Sequence, residues 1–231
     1  MKKHMWKIII GAAIVLMAGS FFLSQQASKG SNDGIVVSDH IKTAADPKAT
    51  LTEYGDFQCP ACGQFYPIVS AVLEQYGGNL SFEFKNFPLP MHPYAIPAAK
   101  AAEAAGQQGK YFEMYDKLYQ NQDAWAQSSA PQAFFNQYAE ELGLNMDQFK
   151  KQMRSSVLSD HIKAQQKEAM DKGFTGTPSF ELNGEKLEFT TYEEFIGKIE
   201  AALGIENTAA SSSASTTAED GAGVEFGLPG A

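Results

Sequence analysis

Both cysteines of the chain sit in one four-residue stretch, Cys59-Pro60-Ala61-Cys62, between a run that reads as a strand and a run that reads as a helix. Two intervening residues at a strand-to-helix junction let the sulfurs close a small ring and put the first of them at the helix N-terminus. Unpaired N–H groups and the positive end of the helix dipole favour a thiolate there. Pro60 suits the first helical turn, where its missing N–H would have had no partner. Cys59 is therefore read as the nucleophile and Cys62 as the resolving thiol.

Two other readings of a CxxC stay open. It can be half of a zinc site, but the chain has no second CxxC, and its four histidines, His4, His40, His92 and His161, lack ligand spacing, so no metal is expected. It can be an inert structural disulfide, although closing so short a loop constrains the unfolded chain very little.

The flanking pattern is αβ in character. Thr50 to Tyr54 has strand composition, and Gly55-Asp56-Phe57-Gln58 turns the chain into the cysteines. Phe65, Ile68, Val69, Val72, Leu73 and Tyr76 then recur at helical spacing up to Gly77-Gly78. A second strand is expected over Leu80 to Phe84, broken by Asn86-Phe87-Pro88-Leu89-Pro90. From Pro97 to Gly173 the pattern is helical, cut at Gly106–Gly109, Ser128–Pro131 and Gly143, with the last two helices over 147–153 and 160–172. The aromatic stripe of this stretch reads as core rather than as a cofactor box, and no cofactor is expected. His92, alone in a proline-rich loop, reads as a surface or capping residue. Ser179 to Leu182, Asn183-Gly184 and Glu185 to Phe189 carry the strongest short hairpin signal, and a helix over 192–203 closes the domain.

At the N-terminus, Lys2, Lys3 and Lys7 precede an uncharged run from Ile8 to Leu23. Its length falls between a signal h-region and a full span of about 17–25 residues, and no AxA cleavage pattern is clear. An uncleaved anchor with a cytoplasmic N-terminus is expected, so that the rest of the chain is extracytoplasmic, or secreted if the segment is cut. In such a compartment, a single CxxC serves exchange better than it serves as a framework. The whole chain carries a net charge of −9, which argues against nucleic acid as a partner. Residues 205–231, rich in Ala, Ser, Thr and Gly, are expected to be a disordered tail. The expected organisation is an anchor and spacer over 1–34, one domain over 35–204 with a helical insertion at about 94–173, and the tail.

Three motifs in order, Thr52–Cys62, Asn86-Phe87-Pro88-Leu89 before a helical stretch, and Gly176-Thr177-Pro178-Ser179-Phe180 before a hairpin, resemble the DsbA-like thiol-disulfide oxidoreductases. The resemblance covers about residues 38–204. It implies an α/β fold, a thioredoxin-like central mixed sheet with an inserted helical domain. It implies further that the Thr177–Pro178 bond is cis, and that Thr177, Pro178, Pro60 and Ala61 meet the substrate, the Thr177 backbone pairing with an extended peptide. Glu53 matches the family's acidic group beneath the site and would relay a proton to or from Cys62. Pro60-Ala61 departs from the Pro-His of the best-known oxidase, which bears on oxidising strength.

The function expected is that of an extracytoplasmic oxidase, a monomer that passes a disulfide to exported cysteine-containing proteins and is regenerated by a membrane redox partner of the quinone reductase type. A reductase for a specific partner such as an apocytochrome, and a non-catalytic thiol chaperone or metal-delivery module, are the alternatives.

Overall fold

The chain enters its sheet through a short edge strand, β1 (His40–Lys42), before the longer β2 (Ala49–Gly55) runs through the middle. The structure, a computed structural model, describes residues 34–205. The expected anchor and tail lie outside the described residues, apart from Gly34 and Ile205 at their edges. Among the described residues no helix is long and apolar enough to cross a membrane.

Helix α1 (Pro60–Tyr76) carries the chain from β2 to β3 (Leu80–Asn86), which lies parallel to β2. A parallel pair needs such a crossover, because the chain must return to the starting edge before running forward again. Six helices follow: α2 (Ala95–Gly106), α3 (Tyr111–Gln120), α4 (Gln122–Ala126), α5 (Pro131–Glu141), α6 (Met146–Met153) and α7 (Ser156–Asp171). The chain then returns to the sheet as β4 (Ser179–Leu182) and β5 (Glu185–Leu187) and ends in α8 (Tyr192–Ala202). The strand order is β1-β3-β2-β4-β5, with β4 antiparallel to β2 and β1 antiparallel to β3. This is the mixed sheet with inserted helices that the motifs imply.

The central position of β2 follows from its composition. Six of its seven residues are buried, as a strand covered on both faces requires. The Ala-rich α2 has small side chains on nearly all of its surface, which lets α3, α6 and α7 pack closely around it. Aromatic rings fill both sides of the sheet: Phe57, Phe84, Tyr115 and Tyr119 towards the insertion, and Phe65, Phe180, Phe189 and Phe195 towards α8. The hairpin turn has Asn183 at φ 56° and Gly184 at φ 81°, the left-handed pair that a two-residue turn of this hand needs.

Three departures from the sequence pattern bear on the fold. Strand β1 had no expectation; it is three residues long with Ile41 half exposed, and its definition comes from pairing with β3 rather than from local composition. Helix α7 starts at Ser156 rather than at 160, because the Ser155 hydroxyl accepts the Val157 N–H and caps it. Strand β5 stops at Leu187, since Phe189 leaves the sheet to pack 4.9 Å from the Phe195 ring.

Gly55 closes β2 where a side chain has no room: a Cβ there would lie 2.4 Å from the Phe84 ring and 3.1 Å from Glu53 Oε1. Gly55→Ala is therefore expected to destabilise the protein by roughly 1–3 kcal/mol, read as a lower urea midpoint at unchanged m.

Candidate active site

The turn between β2 and α1 is built by one buried carboxylate. Asp56 Oδ1 accepts the N–H of Gln58 at 2.8 Å, which bends the chain two residues ahead of it. Its Oδ2 accepts the Leu89 N–H at 2.8 Å and pairs with His92 Nδ1 at 2.7 Å. Gln58 Oε1 accepts the Tyr94 N–H at 2.6 Å, so the loop after β3 is fastened twice to the same turn. His92 is thus partly buried and holds the turn from behind, a role between the surface and capping readings of the sequence. The turn delivers Cys59 to the N-cap position of α1, with Pro60 in the first turn of the helix.

Cys59 is 7 % exposed and Cys62, one helical turn on, is fully buried; both are free thiols. Pro60 and Ala61 between them are exposed. Opposite Cys59 lies the Thr177–Pro178 peptide, which is cis and immediately precedes β4. Cys59 Sγ lies 3.5 Å from the Thr177 carbonyl oxygen. The Thr177 hydroxyl is buried without a hydrogen-bond partner among the described residues, and the Thr177 side chain helps to lower the Cys59 pKa. Behind the pair, Glu53 is 1 % exposed on β2. Its one side-chain hydrogen bond among the described residues is a long one from the Tyr115 hydroxyl on α3, at 3.3 Å. All seven residues singled out in the sequence, Glu53, Cys59, Pro60, Ala61, Cys62, Thr177 and Pro178, therefore belong to one locus. The sequence did not single out Asp56, His92 or Tyr115 as partners of that locus. Asp56 carried a usable signal, a turn-forming Asp three residues before the first cysteine; Tyr115 was indistinguishable from its core neighbours.

These surroundings drive the two thiols apart. The Cys59 pKa falls from 9.0 to about 5, chiefly because Cys62 donates a hydrogen bond to the thiolate, with Thr177 and the backbone N–H groups of Ala61 and Cys62 adding to it against the opposing effect of burial. Cys62 is pushed well above its ordinary value by burial first, then by its hydrogen bond to Cys59 and the nearby charge of Glu53. Glu53 rises from 4.5 to about 8 through burial, which the Tyr115 hydrogen bond only partly offsets. At neutral pH the site thus holds one thiolate, one thiol and one protonated carboxyl. Such a locus can attack or be attacked at the less buried of its two sulfurs, keep the second sulfur away from solvent, and hand a proton to it. Among the described residues no group of three or more His, Cys, Asp or Glu side chains is placed to hold a metal ion.

The family model described as Thioredoxin matches residues 38–201. Among curated proteins, the Na(+)/H(+) antiporter NhaA 3 of Salinispora tropica is 37% identical over 150 residues, 64% of this chain and 22% of that protein. The chain thus spans under a quarter of the length of the curated relatives it matches. Among solved structures, BdbD from Bacillus subtilis in its oxidised form superposes with a TM-score of 0.63 at 19% identity, over 76% of this chain and 96% of that one. Alpha-DsbA1 of Wolbachia pipientis gives 0.63 at 20% identity, over 73% and 92%. At these identities the structures share the fold with this chain.

The raised pKa of Glu53 has a consequence for stability. An acid whose folded pKa lies above its unfolded one contributes stability that is complete below about 4.5 and is lost as pH rises to about 8. Glu53→Gln removes that loss. Urea unfolding of the reduced protein should show the variant gaining on the parent between these pH values, by on the order of a few kcal/mol at the upper end.

Proposed function

The chain belongs to the thioredoxin family, and from that membership and the site's geometry we propose that it is a thiol-disulfide oxidoreductase, acting as a disulfide-forming oxidase on exported cysteine-containing proteins. The observation that carries this reading is the placement of Cys59 at the N-cap of α1 with Cys62 one turn on, surroundings that lower the Cys59 pKa to about 5. A thiolate so stabilised favours the reduced form of the couple, and a protein whose reduced form is favoured is an oxidant.

The reaction follows from the placement of the groups. A substrate thiolate attacks Sγ of Cys59 in the oxidised protein, the Cys59–Cys62 bond breaks, and a substrate–Cys59 bond forms. Cys62 leaves as a thiolate in a buried place that disfavours the charge, and the protonated Glu53 supplies the proton it needs. The substrate's second thiolate then attacks the substrate sulfur of the mixed disulfide, and Cys59 leaves as the stable thiolate. Two electrons have passed from substrate to protein. The Thr177 backbone, facing Cys59, would hold the extended substrate as an added strand. Oxidation back to the disulfide calls for an electron acceptor, for which a membrane partner of the quinone reductase type is the natural class.

The names of the neighbours are in keeping with thiol-disulfide chemistry: one is BdbD in its oxidised form, and others are described as DsbA2 of Pseudomonas aeruginosa and a protein-disulfide isomerase of Novosphingobium aromaticivorans. Sodium–proton exchange, named for the curated relatives, is not carried over, since the match spans so small a share of them. The extracytoplasmic location is likewise a proposal, resting on the lysines and the apolar run from Ile8 to Leu23, and so is action as a monomer.

Two measurements test the reading. Cys62→Ala should accumulate mixed disulfides with exported proteins, seen as reductant-sensitive bands, whereas Cys59→Ala should not; trapping through Cys59→Ala alone would reverse the roles. The reduction potential should lie well above that of cytosolic thioredoxin, about −270 mV, and a value at or below it would make the chain a reductase.

A further inference from the structure

Helix α4 of the insertion reaches the redox turn through one side chain. Gln122, in the first turn of α4, is 8 % exposed, and its Nε2 lies 2.7 Å from the Phe57 carbonyl and 2.8 Å from the Cys59 carbonyl. Both neighbours are acceptors, so the amide must present its NH2 to them, and its two hydrogens match the two carbonyls. The helix that carries it is fixed: Trp125 is fully buried, its Nε1–H is given to the Leu118 carbonyl at 2.7 Å, and its ring meets that of Phe135 edge-on at 5.3 Å. Gln122 is held in place from the insertion side and is not a free surface amide resting on the turn.

The helix it touches has made room. Gly63, next to Cys62 in α1, has ordinary helical backbone, where glycine costs roughly 0.5–1 kcal/mol relative to alanine and needs a reason. The reason is spatial: a Cβ at Gly63 would lie 2.3 Å from Gln122 Oε1 and 2.9 Å from its Cδ. Any side chain at 63 forces the amide to shift from its seat. The glycine and the glutamine form one fitted pair, 59 positions apart in the chain by their numbers.

We propose that Gln122, seated against Gly63, is a positioning residue that sets the redox poise of the Cys59/Cys62 couple. The proposal deepens the oxidoreductase reading and rests on it. Carbonyl oxygens are the negative ends of their dipoles, and those of Phe57 and Cys59 belong to the turn that carries the sulfur that becomes an anion. Capping both with N–H groups reduces their repulsion of the thiolate. It also holds the Cys59 carbonyl in the helical direction, where it accepts the Gly63 N–H at 3.1 Å, so that the Ala61 and Cys62 N–H groups stay aimed at Sγ. Taking the amide away should destabilise the thiolate, and with it the reduced form, leaving a weaker oxidant.

The test equilibrates the full chain with glutathione redox buffers and titrates the Cys59 thiolate by its ultraviolet absorbance. The variants are Gln122→Met, which keeps length without donors, Gly63→Ala and the double variant. The expected result for each single variant is a higher Cys59 pKa and an equilibrium moved about tenfold towards the disulfide, which is about 30 mV. The double variant should equal Gln122→Met, because both changes empty the same seat. If Gln122→Met fails to fold, Gly63→Ala carries the test alone, since it removes the contact from the other side. Values within twofold of the parent for both single variants, or fully additive shifts, would overturn the proposal. A parent with no measurable glutathione equilibrium would instead refute the oxidoreductase reading.

Discussion

An anionic sulfur at the mouth of α1 is the constraint around which this molecule is arranged. The anion is tolerable because the thiol of Cys62 and the N–H groups of the first helical turn are aimed at it, and because the Thr177 side chain lowers the pKa further. Each donor comes from a different part of the fold. Helix α1 supplies the N–H groups and the second thiol, while the segment before β4 supplies Thr177. The crossover from β2 brings the first set to the sheet's C-terminal edge, and the antiparallel pairing of β4 with β2 brings the second beside it.

Two carboxylates three residues apart show how strongly surroundings decide what the same group does. Asp56 has three donors on its two oxygens and serves as the knot that ties the turn to the loop after β3. Glu53 has one long hydroxyl contact and full burial, and these push it into the range where it gives up a proton near neutral pH. Its seat exists because Gly55 has no side chain to occupy it. A structural acid and a proton-carrying one thus come from a single strand end, sorted by the number of donors each one meets.

What the sequence revealed were features with local signals. The CxxC, the strand-to-helix change around it and the Asn-Gly hairpin are each contained within a few residues, and the mixed sheet with an insertion followed from the family resemblance that the three motifs carry. Helix and strand ends were less legible where a cap or a core contact moved them, as Ser155 and Phe189 did. The contacts that tune the site were not legible at all. Tyr115 meets Glu53 across 62 positions, Gln122 meets Cys59 across 63, and His92 meets Asp56 across 36. A tyrosine in an apolar stripe or a glutamine after an asparagine carries no local mark of such a partner. Gly63 did leave a trace, a glycine inside a helix where nothing about the backbone asks for one.

The most direct test of this picture is the titration of Cys59 itself in the reduced protein, followed through the rate of alkylation across a pH series with Cys62→Ala as a control for assignment. Half-reaction near pH 5 in the parent, rising towards the ordinary thiol range in the variant that has lost the Cys62 donor, is the result the arrangement of donors requires. A parent that titrates near 9.0, like a thiol with no donors around it, would contradict the account at its root.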